Sequence, residues 1–341
     1  MTHPHNHTIC CFGELLLRLS PQLGGTWLKD HIMPVYIGGA ELNVATALAC
    51  WKVPVTYCTT LPENYLSKEI IRSIQERGIQ TDRLFFSGER IGTYFLPQGA
   101  DLKHAGVIYD RAGSSFWQLK PGQIDWDEQL EGITWFHFSA ISPALNEHTA
   151  AVCLEAVMAA RKKGITVSVD LNYRARLWQY GKLPGDIMPE LVRYCDVVMG
   201  NLWAAEQMLG IPIDEKIEAN REAYLEQALH TSEALIRHYE QCTQVALTFR
   251  FDAEAGVRYY ASLYTGGSLF SSPERTAATI VDKVGTGDTF MAGLIYGSVQ
   301  NLEAQERIDF AAAAAFNKFF EKGDATRSTI EDIRKNLLHY A

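Results

Sequence analysis

Strand-like and helical patterns alternate along most of this chain, and this alternation limits the folds open to it. Runs rich in β-branched and aromatic residues are typical of strands, and the segments between them carry the apolar spacing of helices. Parallel strands need such crossover helices, so the pattern predicts a doubly wound α/β sheet flanked by helices. The predicted strands are 9–19, 55–61, 134–139, 166–170, 197–199 and 245–249, the predicted helices are 41–51, 66–77 and 147–163, and further helices follow residue 285.

Two stretches interrupt this alternation. Residues 84–117 show no helical pattern, only short extended runs separated by glycines and charged residues. Together with residues 13–37 they are predicted to form a small β-sheet that covers the α/β body as a lid. Residues 213–241 are polar and helix-favouring, which indicates an added surface helix or pair of helices. With no low-complexity linker in the chain, we expect residues 1–341 to form one domain.

Charge and apolar patterning exclude several kinds of partner. The chain has 31 Lys and Arg against 40 Asp and Glu, whereas nucleic-acid binding draws on an excess of basic residues. No apolar stretch approaches the ~18 residues of a membrane-spanning helix, and Glu14 and Arg18 interrupt the first apolar run, which disfavours export. The seven cysteines are scattered, without the spacing of a zinc site or disulfide framework. A cytoplasmic protein with neither a nucleic-acid nor a membrane partner is expected.

The segment 282–288, Asp-Lys-Val-Gly-Thr-Gly-Asp, is the strongest indication of chemistry. A helical pattern follows it, and glycines before a helix let backbone amides approach an anion closely. The amides of Gly285, Thr286 and Gly287 are therefore predicted to bind phosphate. A carboxylate among phosphates would repel them unless it had another task, so Asp288 is the candidate general base for an attacking hydroxyl. The alternative is a tight turn in which Asp288 only caps the helix.

Other phosphate-binding motifs do not fit the chain. It has no G-x-x-x-x-G-K-[ST], and Phe290 stands at the third glycine position of G-x-G-x-x-G. A P-loop ATPase and a Rossmann dehydrogenase are therefore disfavoured.

Two motifs at opposite ends of the chain resemble those of the ribokinase, or phosphofructokinase-B, superfamily of carbohydrate kinases. Asp282-x-x-Gly285-x-Gly287-Asp288 resembles their D-T-x-G-A-G-D signature, and Gly38-Gly39-Ala40-x-x-Asn43 resembles their N-terminal substrate signature. The resemblance spans nearly the whole chain. It implies a ribokinase-like fold with a lid, ATP and Mg²⁺ as cofactors, transfer of the γ-phosphoryl group to a sugar hydroxyl, and a homodimer formed through the lid.

Within that superfamily, the strings 39–45 and 170–178 look most like those of the 2-keto-3-deoxygluconate kinases. The resemblance implies a substrate pocket formed by Gly38, Gly39, Asn43, Tyr94, Tyr109, Arg111, Arg174 and Asp324. Independently of any family, an arginine fork matches carboxylate geometry, so Arg111 and Arg174 are candidates for binding a sugar acid. For Asn43, Tyr94 and Tyr109 a packing role is the alternative, and for Arg174 a surface salt bridge.

The nucleotide end departs from the family pattern. The resemblance implies ATP contacts from Asn201, Thr248, Gly285 and Gly287. Strand 247–250 has Arg250 where many relatives place a glycine, so Arg250 is a candidate for a different phosphate contact. Magnesium is expected to be held mainly by phosphate oxygens and water instead of dedicated protein ligands. An N-x-x-E string that influences magnesium in relatives would begin at Asn201, but Ala204 stands at its last position and the nearest acid is Glu206. Lys283 and Thr286 also replace the usual threonine and alanine.

Two other functions stay open from the sequence. One is another sugar kinase of the same fold, of the fructokinase or ribokinase type, in which Arg111 and Arg174 would be structural. The other is a non-catalytic relative that binds sugar or nucleotide and regulates a partner, which the altered strand 247–250 and the 213–241 segment favour. The intact Gly-x-Gly-Asp string favours a kinase.

Overall fold

Two β-sheets form the framework of the protein. The structure, a computed structural model, describes residues 7–98, 106–253 and 256–339. Within these ranges ten strands form a large sheet and four form a small one. The strands are β1 (Ile9–Phe12), β2 (Leu16–Leu19), β3 (Val35–Gly38), β4 (Val55–Leu61), β5 (Leu84–Phe86), β6 (Gly92–Phe95), β7 (Ile108–Asp110), β8 (Trp135–Ser139), β9 (Thr166–Asp170), β10 (Val197–Gly200), β11 (Gln244–Ala253), β12 (Gly256–Thr265), β13 (Ser268–Ser271) and β14 (Arg275–Ala277).

Eleven helices are seen in the same ranges. They are α1 (Thr26–Asp30), α2 (Ala40–Cys50), α3 (Tyr65–Glu76), α4 (Trp126–Gln129), α5 (Glu147–Lys162), α6 (Pro184–Val192), α7 (Leu202–Leu209), α8 (Arg221–His238), α9 (Thr286–Val299), α10 (Ala304–Lys318) and α11 (Ile330–His339). Within the described ranges, no helix combines the length and the apolar character needed to cross a membrane.

The large sheet has the order β13-β12-β11-β10-β9-β8-β1-β4-β5, with β14 also paired to β12. From β11 to β5 all neighbours are parallel. The chain moves outward from β1 to β5 on one side and from β8 to β11 on the other, so the loops after β1 and β8 diverge and open a crevice at the carboxyl edge. The predicted doubly wound sheet flanked by helices is confirmed.

Sequence analysis missed the antiparallel edge of this sheet. Strands β12, β13 and β14 continue it beyond β11 through antiparallel pairs. The sheet is therefore mixed, and β12 brings Tyr259 beside Arg250 at the rim of the crevice.

Hydrophobic clusters cover both faces of the large sheet. Successive strand residues point to opposite faces, so Ile9 and Cys11 join one cluster and Cys10 and Phe12 the other. Helices α2, α9 and α10 belong to the first cluster, and α5 to α8 belong to the second. Where α9 meets α10, a Cβ on Gly293 would lie 2.6 Å from the Cα of Ala311. The small residues there allow close helix packing, which fixes the position of α9.

The 213–241 segment forms α8, but it is not an added surface element. Its Ala228 and Leu235 are fully buried, and Tyr224 packs against Phe249 and Phe251 of β11 with ring centroids 6.0 and 5.1 Å apart. The helix is thus part of the crossover that leads from β10 to β11. Its charged outer face accounts for the polar composition that suggested a surface insertion.

The small sheet has the order β3-β2-β6-β7. It comes from the segments predicted to form a lid, with two corrections: β5 pairs with β4 in the large sheet, and α1 interrupts the first segment. Residues 99–105 of the second segment lie outside the described residues. Leu16, Tyr94 and Val107 of this region pack against Val284 of the 282–288 segment, so the small sheet meets the large one beside the crevice. Its action as a lid and the single-domain organisation stay predictions.

Candidate active site

A cavity opens at the carboxyl edge of the parallel strands, between the large sheet and the small one. Loops in this position commonly bind ligands in α/β proteins. Gly38 stays outside the lining, but it lies directly behind the cavity, where a Cβ would overlap the Asp324 carboxylate. The predicted site residues that line the cavity are Gly39, Asn43, Tyr94, Tyr109, Arg111, Arg174, Asn201, Thr248, Arg250, Gly285, Thr286, Gly287, Asp288 and Asp324.

The N-terminus of α9 faces into this cavity. Gly285 precedes the helix with a φ of 80°, a left-handed conformation that glycine adopts without strain. A Cβ there would also overlap the carbonyl oxygen of Asp324. The Thr289 amide donates to the Gly285 carbonyl at 2.9 Å, and the amides before it belong to the first turn, which has no intrahelical acceptors. These amides and the positive end of the helix dipole suit a bound anion.

Asp288 lies in that first turn, buried and on the cavity wall. Its Oδ2 accepts a hydrogen bond from Asn43 Nδ2 at 2.7 Å, so the motifs from the two ends of the chain meet here. Burial raises the pKa of Asp288 to about 8, while the Asn43 hydrogen bond opposes the rise and the charges of Asp170 and Glu41 add to it. A carboxylate whose pKa lies near the working pH is suited to accept the proton of an alcohol.

Two further buried carboxylates lie near Asp288. Asp170, at the end of β9, lines the cavity, and burial raises its pKa to about 6. Glu41, in the first turn of α2, accepts from the amide and hydroxyl of Ser139 at 2.8 and 2.6 Å, and burial raises its pKa to about 7. Like charges so close together favour the protonated forms. Sequence analysis gave neither carboxylate a role.

The cavity wall next to the small sheet holds a paired arginine. Arg111 is buried, and its Nε and Nη2 lie 2.6 and 2.5 Å from Oε2 of Glu14. The other oxygen of Glu14 accepts from Ser114 Oγ at 2.5 Å. Arg111 is therefore held in one orientation, and its charge is balanced before any ligand binds.

Arg174 has a different environment. Its Nη1 donates to the carbonyl of Tyr173 at 2.9 Å, and its side chain is half-buried on the cavity wall. Among the described residues no carboxylate forms an ion pair with it, so a surface salt bridge has no partner there. Arg174 is available to bind an anionic group in the cavity.

The family of the chain follows from comparison with known proteins. The sequence pattern of the pfkB family carbohydrate kinases matches residues 6–330. The chain belongs to the pfkB family of carbohydrate kinases. This pfkB kinase therefore transfers phosphate from ATP to a carbohydrate, and the non-catalytic alternative is set aside.

Several relatives of this kinase are known by sequence or structure. A crystal structure of 2-dehydro-3-deoxygluconokinase from Thermotoga maritima is 36% identical, with a TM-score of 0.88, covering 98% of this chain and 99% of that one. A 2-dehydro-3-deoxygalactonokinase from Haloferax volcanii is 26% identical over 328 residues, 96% of this chain and 95% of its own length. A 2-dehydro-3-deoxygluconokinase from Dickeya dadantii is 24% identical over 308 residues, 87% of this chain and 90% of its own. The similarity extends over nearly the full length of these proteins.

Cationic side chains occupy the end of the kinase cavity formed by β10 and β11. Arg250 and Lys283 both pair with Asp252, at 3.3 and 3.0 Å, and both line the cavity. Thr248 Oγ1, in the middle of β11, donates to the carbonyl of Gly200 at the end of β10 at 3.2 Å. Lys283 was visible in the sequence only as a departure from the family motif. Its charge beside the mouth of α9 suits nucleotide phosphates.

Glu206, the nearest acid in the sequence, does not replace the missing acid of the N-x-x-E string. Asn201 caps α7 by accepting from the Ala204 amide at 2.8 Å. The carboxylate of Glu206 accepts from the Ile213 amide at 3.3 Å, and Glu206 is not part of the cavity lining. No group of three or more His, Cys, Asp or Glu side chains in 7–98, 106–253 and 256–339 is arranged to hold a metal ion.

Glu14 and Arg18 lie outside the cavity lining but contact residues in it, and sequence analysis missed both. In the sequence they stand out only as charges that interrupt an apolar run. In the structure Glu14 holds Arg111, and Arg18 binds Asp282 and Asp324. Their only signal in the sequence is a pair of charges within a strand-like run that is otherwise largely apolar.

Proposed function

We propose that this kinase phosphorylates a 2-keto-3-deoxy sugar acid, 2-keto-3-deoxygluconate or its galactonate epimer. The observation that carries the proposal is Arg174, a cationic side chain without a carboxylate partner in the described residues, on the wall of the cavity that contains Asp288. The activities of the Thermotoga, Haloferax and Dickeya relatives support the same substrate class.

In the proposed reaction, the acceptor hydroxyl lies between Asp288 and the γ-phosphoryl group of ATP. Asp288 accepts the hydroxyl proton while the oxygen attacks phosphorus, and ADP leaves. The amides of Gly285, Thr286 and Gly287 stabilise the charge on the transferred group. Arg174 binds the carboxylate of the sugar acid at the other end and so orients the hydroxyl.

Mg²⁺ is proposed to accompany ATP, held mainly by phosphate oxygens and water. The donor set of the cavity fits that arrangement, because Arg250 and Lys283 are cationic and the carboxylates among the described lining residues are Asp170, Asp288 and Asp324, of which Asp324 is already paired with Arg18. When bound, the ion neutralises phosphate charge. The protein residues supply the nucleotide site, the base and the orientation of the sugar.

One observation favours a neutral sugar as the second candidate. Arg111 is already paired with Glu14 at 2.5 Å, so it contributes no net charge to the cavity. A fructokinase-type or ribokinase-type substrate would use this pair as hydrogen-bonding groups and leave Arg174 without a carboxylate.

A substrate panel decides between these candidates. The purified chain is incubated with Mg-ATP and, separately, 2-keto-3-deoxygluconate, 2-keto-3-deoxygalactonate, fructose and ribose, and ADP release is measured. We expect the acids to exceed the neutral sugars in kcat/KM by ~10²-fold, about what one charge-assisted contact contributes. A preference for fructose or ribose would contradict the proposal. Asp288→Asn controls for contaminating kinases.

The organisation and location of the protein are also proposals. Val35 and Ile108 are 53% and 62% exposed on the outer face of the small sheet, which supports a homodimer through this sheet. Light scattering of the purified protein tests it, and a monomer at micromolar concentration would contradict it.

The seven unpaired cysteines support a reducing, cytoplasmic location. The continuous large sheet supports one domain with the small sheet as its lid.

A further inference from the structure

Arg18 is a buried arginine where three parts of the protein meet. It lies on β2 of the small sheet and is 2% exposed. Its Nε donates to Asp324 Oδ1 at 2.7 Å, and its Nη2 donates to Asp282 Oδ2 at 2.8 Å. Its guanidinium also stacks on the ring of Tyr36, 4.3 Å from the centroid. The small sheet is thereby tied to two segments far away in the sequence.

The first of these segments is the turn that leads into α9. Asp282 Oδ1 accepts from the Val284 amide at 3.0 Å, and Oδ2 also accepts from the Gly323 amide at 3.3 Å. Arg18 therefore fixes a carboxylate whose own contacts shape the turn just before Gly285. Moving Asp282 would move the amides proposed to bind phosphate.

The second segment is the cavity wall around Asp324. Tyr94 of β6, which is paired with Arg18 in the sheet, donates to Asp324 Oδ2 at 3.0 Å. The Asp324 carbonyl oxygen lies against Gly285. One side of Asp324 thus contacts the small sheet, and the other contacts the mouth of the helix.

We infer that Arg18 is a positioning residue that couples the sugar end of the cavity to the phosphate end. It is not part of the cavity lining, so it acts through Asp282 and Asp324 and touches neither substrate. The inference rests on the proposed placement of sugar and nucleotide in this cavity. It means that a sugar bound against Tyr94 and Asp324 stabilises the phosphate-binding turn, and that nucleotide binding in turn favours sugar binding.

The planar fork of arginine is needed for this geometry. It donates in two directions to two carboxylates while its face stacks on Tyr36, and lysine offers only a compact ammonium group. Arg18→Lys keeps the charge that balances the buried Asp324 and the partly buried Asp282 but loses the simultaneous contacts. It is therefore the main variant, since Arg18→Met leaves both acids unpaired and risks unfolding.

The experiment measures coupling and rate in wild type and Arg18→Lys. The dissociation constant of the non-hydrolysable ATP analogue AMP-PNP with Mg²⁺ is measured alone and with saturating sugar, using the sugar from the panel that is phosphorylated fastest. Wild type is expected to bind the analogue about fivefold or more tightly when sugar is present. In Arg18→Lys this ratio falls to about 1 and kcat drops ~10-fold or more, while circular dichroism and the thermal midpoint show a folded protein.

A matched control is Arg161→Met, which removes a partly exposed arginine whose Nη1 lies 3.9 Å from Asp196. It should leave both the coupling ratio and kcat unchanged. If folded Arg18→Lys keeps the wild-type coupling ratio and kcat, the inference is wrong even though the kinase function stands. If wild type phosphorylates no sugar of the panel, the proposed function fails. In that case the dissociation constant of AMP-PNP is compared between wild type and Arg18→Lys. An unchanged constant in the variant would contradict the positioning role of Arg18.

Discussion

The two ends of the cavity are built in different ways. The phosphate end consists mostly of backbone from one continuous segment, 282–288, with Asp288 as its reactive side chain. The sugar end is assembled from side chains on separate elements, such as Tyr94 on β6, Arg111 after β7 and Arg174 after β9. A backbone site depends on one local conformation, so damage there should remove activity for every substrate. A site made of charged side chains should lose affinity by degrees and for some substrates only.

The largest expected effect is at the phosphate end, from Asp288→Asn. The amide keeps the shape of the side chain but cannot accept the hydroxyl proton, so kcat should fall ~10³-fold, within the range for loss of a general base. The KM for ATP should change little. Steady-state kinetics with the preferred sugar measures both.

A control for Asp288→Asn is Asp127→Asn, which alters an exposed aspartate 3.5 Å from Lys163 and should keep wild-type kcat. Retention of more than a tenth of wild-type kcat by folded Asp288→Asn would show that the helix mouth works without a base.

The next effect, also at the phosphate end, comes from Gly285→Ala. Its φ of 80° is unfavourable for alanine, and the new Cβ would overlap the Asp324 carbonyl. The turn must shift, so kcat should fall by ~10²-fold, comparable to the loss of one oxyanion-hole donor. Kinetics and thermal unfolding are measured together.

Gly267→Ala separates backbone strain from this overlap. Gly267 has a φ of 78°, but a Cβ added there would meet no atom of the described residues within 4 Å, apart from its immediate neighbours in the chain. The substitution should lower the free energy of unfolding by ~1 kcal/mol and leave kcat unchanged. Equal activity loss in both variants would mean that a general loss of stability, and not the fit against Asp324, accounts for the effect of Gly285→Ala.

The contrast between the two ends also explains what could be predicted from the sequence. The phosphate end is local, so Gly285 and Asp288 were predicted together with their helix. The sugar end depends on contacts between residues far apart, such as Glu14 with Arg111, 97 positions away, and Arg18 with Asp324, 306 positions away. Arg111 and Asp324 were predicted as site residues. Their pairing with oppositely charged side chains was not predicted.

The same reasoning applies to the fold. Alternating strand and helix patterns predicted the parallel sheet, because crossover helices leave a clear periodic signal. The antiparallel edge β12–β14 has no helices between its strands, and the outer charges of α8 concealed its buried face. Strand β5 was predicted to join the small sheet, whereas it forms an edge of the large one. No pattern in a single sequence shows which of two sheets a three-residue strand joins.

A smaller, selective effect is expected at the sugar end from Arg174→Met. Losing a charge-assisted contact should raise the KM for a sugar acid by ~10 to 100-fold, with little change for a neutral sugar or for ATP. Arg176→Met is the control, since Arg176 donates to the Val107 carbonyl at 3.0 Å outside the cavity lining. A uniform loss for acid and neutral substrates would mean that Arg174 supports the fold instead of the carboxylate.

The smallest effects are shifts of the pH profile, and they test whether the two ends share one electrostatic environment. Since the pKa of Asp288 is raised to about 8 by burial, and the base must be ionised to act, kcat/KM should rise with pH up to about 8 and then level off. Asp170→Asn removes a like charge, so the rising limb should move to lower pH. Asn43→Ala removes a hydrogen bond to the ionised form, and Arg174→Met removes an opposite charge, so both should move the limb to higher pH.

The sign of the stability effect follows from the same pKa. Folded Asp288 holds its proton up to about pH 8, whereas an unfolded aspartate releases it near its ordinary value of 3.8. Its contribution to folding stability is thus greatest below pH 3.8 and is lost as the pH rises towards 8. Denaturant titrations between pH 5 and 8 should show a smaller fall in stability for Asp288→Asn than for wild type.

The pH profile of Arg174→Met tests the coupling between the two ends. If this variant changes the KM for the sugar acid but leaves the pH profile of kcat/KM in place, the sugar end acts on its ligand alone, and the two ends are electrostatically independent.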